Sequence, residues 1–351
     1  MITFLLSLCA LGVPLEPSGP APLVSTERLV ETIRSLPEKR AALGSPEHRE
    51  GLRKAESLLA DRLRELGLTP VMHAFTWGSP GAEIDDPADE GQITWHNIII
   101  DLPGTDLKHE VLVVGAHFDA VPMGPGADDN ATGTAAALEL ARILRDFPTR
   151  RTIRIAFFNL EEVGLVGSTA YAADWKKAHR PAPPAPDEPP APTAADAPNP
   201  ETIVGMLSLE MLGYFSDEPN SQKSPIPSQP GVFEAPTVGD SIALVGIVRD
   251  QAFIRELSLA MLESAPGLRT TVVDFVPVAL PDMTRSDHRP FMALRVPALM
   301  VTDTANFRNP HYHKATDTLE TLDLTRFTLV VRGLAGAVHQ IALPEPGAKA
   351  P

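Results

Sequence analysis

The sequence predicts an α/β protein: a mostly parallel or mixed central sheet with helices on both faces. Two observations carry this. Apolar runs of strand length alternate with longer segments whose apolar residues recur at helical spacing. That alternation is the order that builds parallel strand pairs with helices as crossovers. Several strand-like runs end in histidine or acidic residues, and open α/β sheets collect ligands at the carboxyl edge of their strands.

The chain opens on an apolar run, ITFLLSLCALGV, followed by the Pro-rich VPLEPSGPAP. The run is too short to span a bilayer. It resembles the apolar part of an export signal, although no Lys or Arg precedes it. We expect an exported protein, periplasmic or secreted, with residues 1–20 preceding a single domain over 21–345. Cys9 is the only cysteine, so the domain is built without disulfides.

Residues 25–36 and 45–66 read as helices. In the second, Ser45 stands at the N-cap and Pro46 in the first turn. Leu52, Leu58, Leu59, Leu63 and Leu66 form one stripe, and Gly67 ends it. Residues 69–77, 93–102 and 110–116 read as strands, with an acidic loop at 83–90. A helix rich in Ala and Leu follows at 132–145, a strand at 152–160 (TIRIAFFNL) and a helix at 168–179. The Pro/Ala-rich stretch 180–200 can form neither a regular helix nor a central strand. The strand pattern resumes at 203, so this stretch reads as a loop inside the domain. Further strands are expected at 203–209, 242–248, 270–276 and 296–302, and helices at 250–264 and 322–343. Residues 213–239 and 282–288 read as loops.

A net charge of −15 argues against nucleic acid and against anionic membrane surfaces. The chemistry-bearing residues collect elsewhere. His117 and Asp119 sit two apart at a strand end, so both side chains face one way. A carboxylate beside a metal-binding imidazole commonly takes its second proton and fixes the tautomer. Asp128 and Asp129 adjoin in a Gly-rich turn before a helix, where they repel unless a cation or the helix terminus compensates. The strand at 152–160 leads into Glu161 and Glu162, that at 203–209 into Glu210, and that at 296–302 into a loop with His311 and His313. His48 and His339 fall on helices, and His73, His96, His109 and His179 lack a partner pattern. His311 reads as a loop residue.

GAHFDAVPMGPGADDNATG, FFNLEEVGLVGS, LEMLG, SDHRPF and YHKATDT occur in that order. They resemble the motif series of metallopeptidase family 28, which holds zinc aminopeptidases, glutamate carboxypeptidases and glutaminyl cyclases. The likeness runs from about Asn97 to the last helix. It implies a zinc-exopeptidase, phosphorylase/hydrolase-like fold with two zinc ions. Under the resemblance His117 is a ligand of the first zinc and Asp119 the acid that orients it. Asp129 bridges both ions and precedes a cis peptide to Asn130, while Asp128 does not ligate. Glu161 is the general base, and Glu162 and His313 hold the second zinc. Glu210 stands where the family has Asp on the first zinc, a methylene longer. Tyr312 contacts the tetrahedral intermediate, and Asp287 and His288 support the site without ligating.

Donor chemistry agrees: imidazole and carboxylate suit zinc, and two ions roughly 3.5–4 Å apart can share one acid. The expected activity is an aminopeptidase acting on peptides. The alternatives are a glutaminyl-peptide cyclotransferase and a carboxypeptidase or dipeptidase; the Asp128-Asp129-Asn130 pattern favours hydrolysis. A non-catalytic binding module would have lost ligand types, and here every position carries one. The pocket walls are expected from 213–239 and 279–285.

Overall fold

A computed structural model describes residues 19–78, 93–179, 200–277 and 280–344. The apolar start, the acidic loop and nearly all of the Pro/Ala-rich stretch lie outside these residues. Helices α1 (Thr26–Ser35) and α2 (Pro46–Glu65) are followed by strands β1 (Val71–Trp77), β2 (Ile93–Leu102) and β3 (Leu107–His117). Then come α3 (Gly133–Leu144), β4 (Arg151–Phe158), α4 (Val166–His179) and β5 (Thr202–Glu210). The chain closes with β6 (Ile242–Val245), α5 (Gln251–Ser264), β7 (Thr270–Val273), α6 (His288–Ala293), β8 (Ala298–Thr302) and α7 (Leu324–Ala342).

The strands form one sheet in the order β1-β2-β4-β3-β5-β8-β6-β7. The block β4-β3-β5-β8 is parallel throughout. β1 and β2 pair antiparallel, as do β2 with β4 and β6 with β8, so the sheet is mixed. β3 lies in the middle and is apolar on both faces, as a strand covered twice must be. Leu112 and Val114 join the larger core, under α1, α2, α3, α5 and α7. Val111 and Val113 join the opposite core, packed with Tyr171 and Trp175 of α4 and Phe291 of α6.

On that second face α6 reaches only the start of β8, and among the described residues no α-helix covers the rest of β8 or β6 and β7. Ile226, Phe233 and Met283, from two long loops, cover Ala243, Val245, Val273 and Met300 instead. Among the described residues no helix is long and apolar enough to cross a membrane.

Element ends differ from the sequence reading by a few residues. Helix α6 was not anticipated: 282–288 reads as loop, yet His288 opens a helix. Its six residues, HRPFMA, carry a proline near the start and are too few to show an apolar period.

Candidate metal centre

In a parallel block every carboxyl end lies on one edge. His117 is the last residue of β3 and Glu210 the last of β5. Glu161 and Glu162 follow three and four residues after β4 ends. The turn before α3 supplies Asp129, with the Asp129–Asn130 peptide cis. Gly126 starts that turn at φ +59°, and a Cβ there would fall 2.2 Å from the Asp129 carbonyl, which reserves the position for glycine.

The structure brings five predicted residues together as two triads sharing Asp129. His117, Asp129 and Glu210 offer donor atoms within 4.8 Å of one another, as do Asp129, Glu162 and His313. His117 Nε2 lies 3.5 Å from Asp129 Oδ1 and 3.4 Å from Glu210 Oε2. His313 Nε2 lies 3.1 Å from Asp129 Oδ2 and 3.2 Å from Glu162 Oε2. The extra methylene of Glu210 therefore does not carry its carboxylate away from His117. Glu161 belongs to neither triad; its Oε2 is 3.9 Å from His117 Nε2.

These carboxylates are buried, where like charges this close cannot all ionise uncompensated. Burial opposes a charge on His117, but Glu210 and Glu161 outweigh it and hold the imidazolium well above its usual range. His313 rises to about 10: burial opposes the charge, and Asp129 and Glu162 overcome it. Burial, reinforced by Asp129, pushes Glu162 up to about 8. Burial, with Glu210, Glu162 and Asp287 adding, also lifts Glu161 well above the carboxylate range. Protons can satisfy this balance, and so can divalent cations between the same atoms. Among the described residues, buried Glu162 Oε1 has no hydrogen-bond partner, and Asp129 Oδ2 has only its ion-pair contact with His313 Nε2. Three carboxylates and two imidazoles so placed fit a pair of zinc-type ions.

A buried frame holds the triads. Asp119 Oδ1 and Oδ2 accept the backbone N–H groups of Glu161 (3.0 Å) and Glu162 (3.1 Å). His117 Nδ1 lies 3.4 Å from Asp119 Oδ1 and 3.2 Å from the Asp119 carbonyl, so Nε2 is the atom aimed at the triad. Ser286 donates to Glu210 Oε2 (2.7 Å). The Asn130 amide donates to Leu209 O (2.8 Å) and accepts from Met211 N–H (3.1 Å), tying the Asp129 turn to the end of β5.

Sequence reasoning passed over three contributors, Asp317, Asp303 and Arg40. Asp317 accepts the N–H groups of Asp128 and Asp129. Asp128 faces away from the triads, accepting from Gly213 N–H and Asn309 Nδ2. Asp303 is fully buried beside Asp128 and accepts from Ala305 N–H (2.8 Å). Arg40, buried among carbonyls, donates to Phe118 O (2.9 Å), Gly126 O (2.6 Å), Pro37 O and Pro125 O. Only Asp317 lay in a recognised motif, YHKATDT.

Tyr312 stacks on His313 with ring centroids 3.8 Å apart, and its hydroxyl accepts from Arg285 Nη2 (3.1 Å). Asp287 is fully buried behind the acids, and burial raises it to about 7. His288 gives its Nε2 to the Met283 carbonyl (2.8 Å), which ties down a pocket wall and leaves the triads alone. His311 bonds Thr316 Oγ1 (2.9 Å), as a loop residue would.

Asp129, Glu161, Glu162 and Glu210 stand at one side of a pocket enclosing about 910 Å³, its open mouth included. Its walls include Ile226, Phe233, Val245, Met283, Met300 and Phe307. They come largely from the two loops the sequence pointed to, together with the uncovered face of β6, β7 and β8. Gln222, also in the wall, is already committed: Nε2 donates to Thr304 Oγ1 (2.9 Å) and Oε1 accepts from Arg308 (2.7 Å).

A mixed α/β sheet presenting two imidazole–carboxylate triads at its edge is the frame of a metal-dependent hydrolase. Residues 97–227 match the model of peptidase family M28. The Escherichia coli K12 protein named Uncharacterized protein YfbL is 31% identical over 291 residues, covering 78% of this chain and 80% of that one. Aminopeptidase YwaD of Bacillus subtilis is 44% identical, but over 79 residues, 22% of this chain and 17% of that one. Among solved structures, the zinc aminopeptidase BSAP from Bacillus subtilis superposes with a TM-score of 0.64 at 17% identity, covering 93% of this chain and 97% of that one. Glutaminyl cyclase structures share the fold too. The chain belongs to peptidase family M28. It is a metallopeptidase, a hydrolase of peptides.

Proposed function

We propose that the protein is a di-zinc aminopeptidase. His117, Asp129 and Glu210 hold one ion, and Asp129, Glu162 and His313 the other. The observation that carries this reading is the Asp129 carboxylate, which turns one oxygen toward each imidazole. Bound zinc would supply a water of lowered pKa and polarise the scissile carbonyl.

The protein's own residues supply the rest. Glu161 has a carboxylate outside both triads, in a buried site that favours its protonated form. That suits it to take a proton from water and return it to the leaving amine. Because the Tyr312 oxygen accepts from Arg285, its own proton is free to serve the oxyanion. The apolar pocket takes the side chain of the N-terminal residue, with large aliphatic or aromatic groups preferred.

Glutaminyl cyclisation is the second reading, favoured by the shared fold. Two complete triads support hydrolysis over it. Leucyl 4-nitroanilide and a Gln-initiated peptide, each incubated with zinc-supplied protein, separate the two. Release of nitroaniline with the Gln peptide left uncyclised is expected; cyclisation without nitroaniline release would overturn the aminopeptidase reading.

A further inference from the structure

Glu161 and Glu162 also line a second depression. With the apolar pocket it shares these two acids, Arg285 and Tyr312. Gly164 and Leu165 form part of its wall, and so does the segment carrying Arg285 and Arg289. Where the first pocket is apolar, this groove is lined by two arginines as well as the acids. Arg289 is exposed and makes no side-chain hydrogen bond or ion pair among the described residues. With 45 acids against 30 bases in the chain, that is not for want of acidic partners. Arg285 is partly buried, with Nη1 on Asn306 Oδ1 (2.7 Å) and, more loosely, Asp282 Oδ1 (3.5 Å), and with Nη2 on Tyr312, which holds its position between the two spaces.

If the apolar pocket holds the N-terminal side chain, the scissile bond lies over Glu161 and the leaving residue enters this groove. In a dipeptide the leaving residue carries its carboxylate one Cα from the scissile nitrogen. A guanidinium reads a carboxylate through charge-assisted, often paired hydrogen bonds. A capped or continuing chain offers a neutral amide there. We infer that the groove recognises the free C-terminal carboxylate of the leaving residue through Arg285 and Arg289, so that short peptides, dipeptides first, are the favoured substrates. This rests on the aminopeptidase reading.

The test compares leucyl-alanine, leucyl-alanine amide and leucyl 4-nitroanilide on the zinc-supplied full chain and on Arg289→Gln. The free acid should exceed its amide in kcat/KM by about tenfold or more, the order of one charge-assisted hydrogen bond, mostly through KM. In Arg289→Gln the acid-to-amide ratio should collapse toward one. Equal cleavage of acid and amide by the wild type overturns the inference while nitroanilide cleavage leaves the aminopeptidase reading standing. A ratio unchanged in Arg289→Gln also overturns it. Failure to cleave any of the three removes both.

Discussion

Asp119 Oδ1 accepts the backbone N–H of Glu161 at 3.0 Å, which fastens the end of β4 to the residue that orients His117. One buried carboxylate thus fixes both an imidazole and the start of the Glu161–Glu162 pair. Asp119→Asn puts an amide N–H₂ where one of two acceptors stood, facing a backbone donor. Zinc affinity or turnover should fall by roughly 10–100-fold, the usual cost of losing such a partner. Equilibrium dialysis against zinc, with kcat on leucyl 4-nitroanilide, checks this; a variant matching the wild type in both would remove Asp119 from the account.

Glu161→Gln keeps size and burial and removes the titratable group. Because Glu161 lies outside both triads, zinc content should stay as in the wild type. kcat should drop by about 10²–10⁴, the range for a lost general base. Elemental analysis and steady-state kinetics on one preparation decide it, and near-normal turnover would assign the base elsewhere.

Metal uptake should release protons. Glu162 lies near 8 and His313 near 10, so both hold protons at pH 7, and His117 lies well above its usual range. Coordination by His117, Glu162 and His313 requires their deprotonated forms. Affinity should therefore rise with pH through these values and weaken as pH falls. Titrating zinc into chelator-stripped protein, by calorimetry in two buffers of different ionisation enthalpy, should show two or more protons released per chain at pH 7. Release of none would contradict the described charge balance.

Arg40 is a buried cation whose hydrogen bonds all go to main-chain carbonyls. Arg40→Met strands those acceptors, and each buried unsatisfied group costs about 1–3 kcal/mol. Urea unfolding should show a loss of about 3 kcal/mol or more. A change below about 0.5 kcal/mol, the size of an ordinary surface substitution, would mean that the carbonyls find other partners.

His117 and Glu210 were legible because they end strands, and Asp129 and Glu162 because they sit close to a helix start and a strand end; His313, in a loop well past β8, was legible through the YHKATDT motif. The frame around them was not. Arg40 reaches carbonyls 78 and 86 residues along the chain, and Asp317 an amide 188 residues back. An Arg after a short helix, or an Asp in a turn, carries no local mark of such contacts. Strand direction was equally hidden. The antiparallel pairing of β6 with β8 follows from how the chain between β5 and β8 returns to the sheet, and no period in IALV records that. The apolar pocket inherits this difficulty, since it exists where loops rather than α-helices cover β6, β7 and the far part of β8.

The central claim is that Asp129 is shared between two metal ions. Anomalous diffraction at the zinc edge, from crystals grown with zinc, tests it most directly. The account predicts two peaks roughly 3.5–4 Å apart, one within reach of His117 and Glu210, the other of Glu162 and His313, with Asp129 between them. A single peak, or peaks away from Asp129, would contradict it.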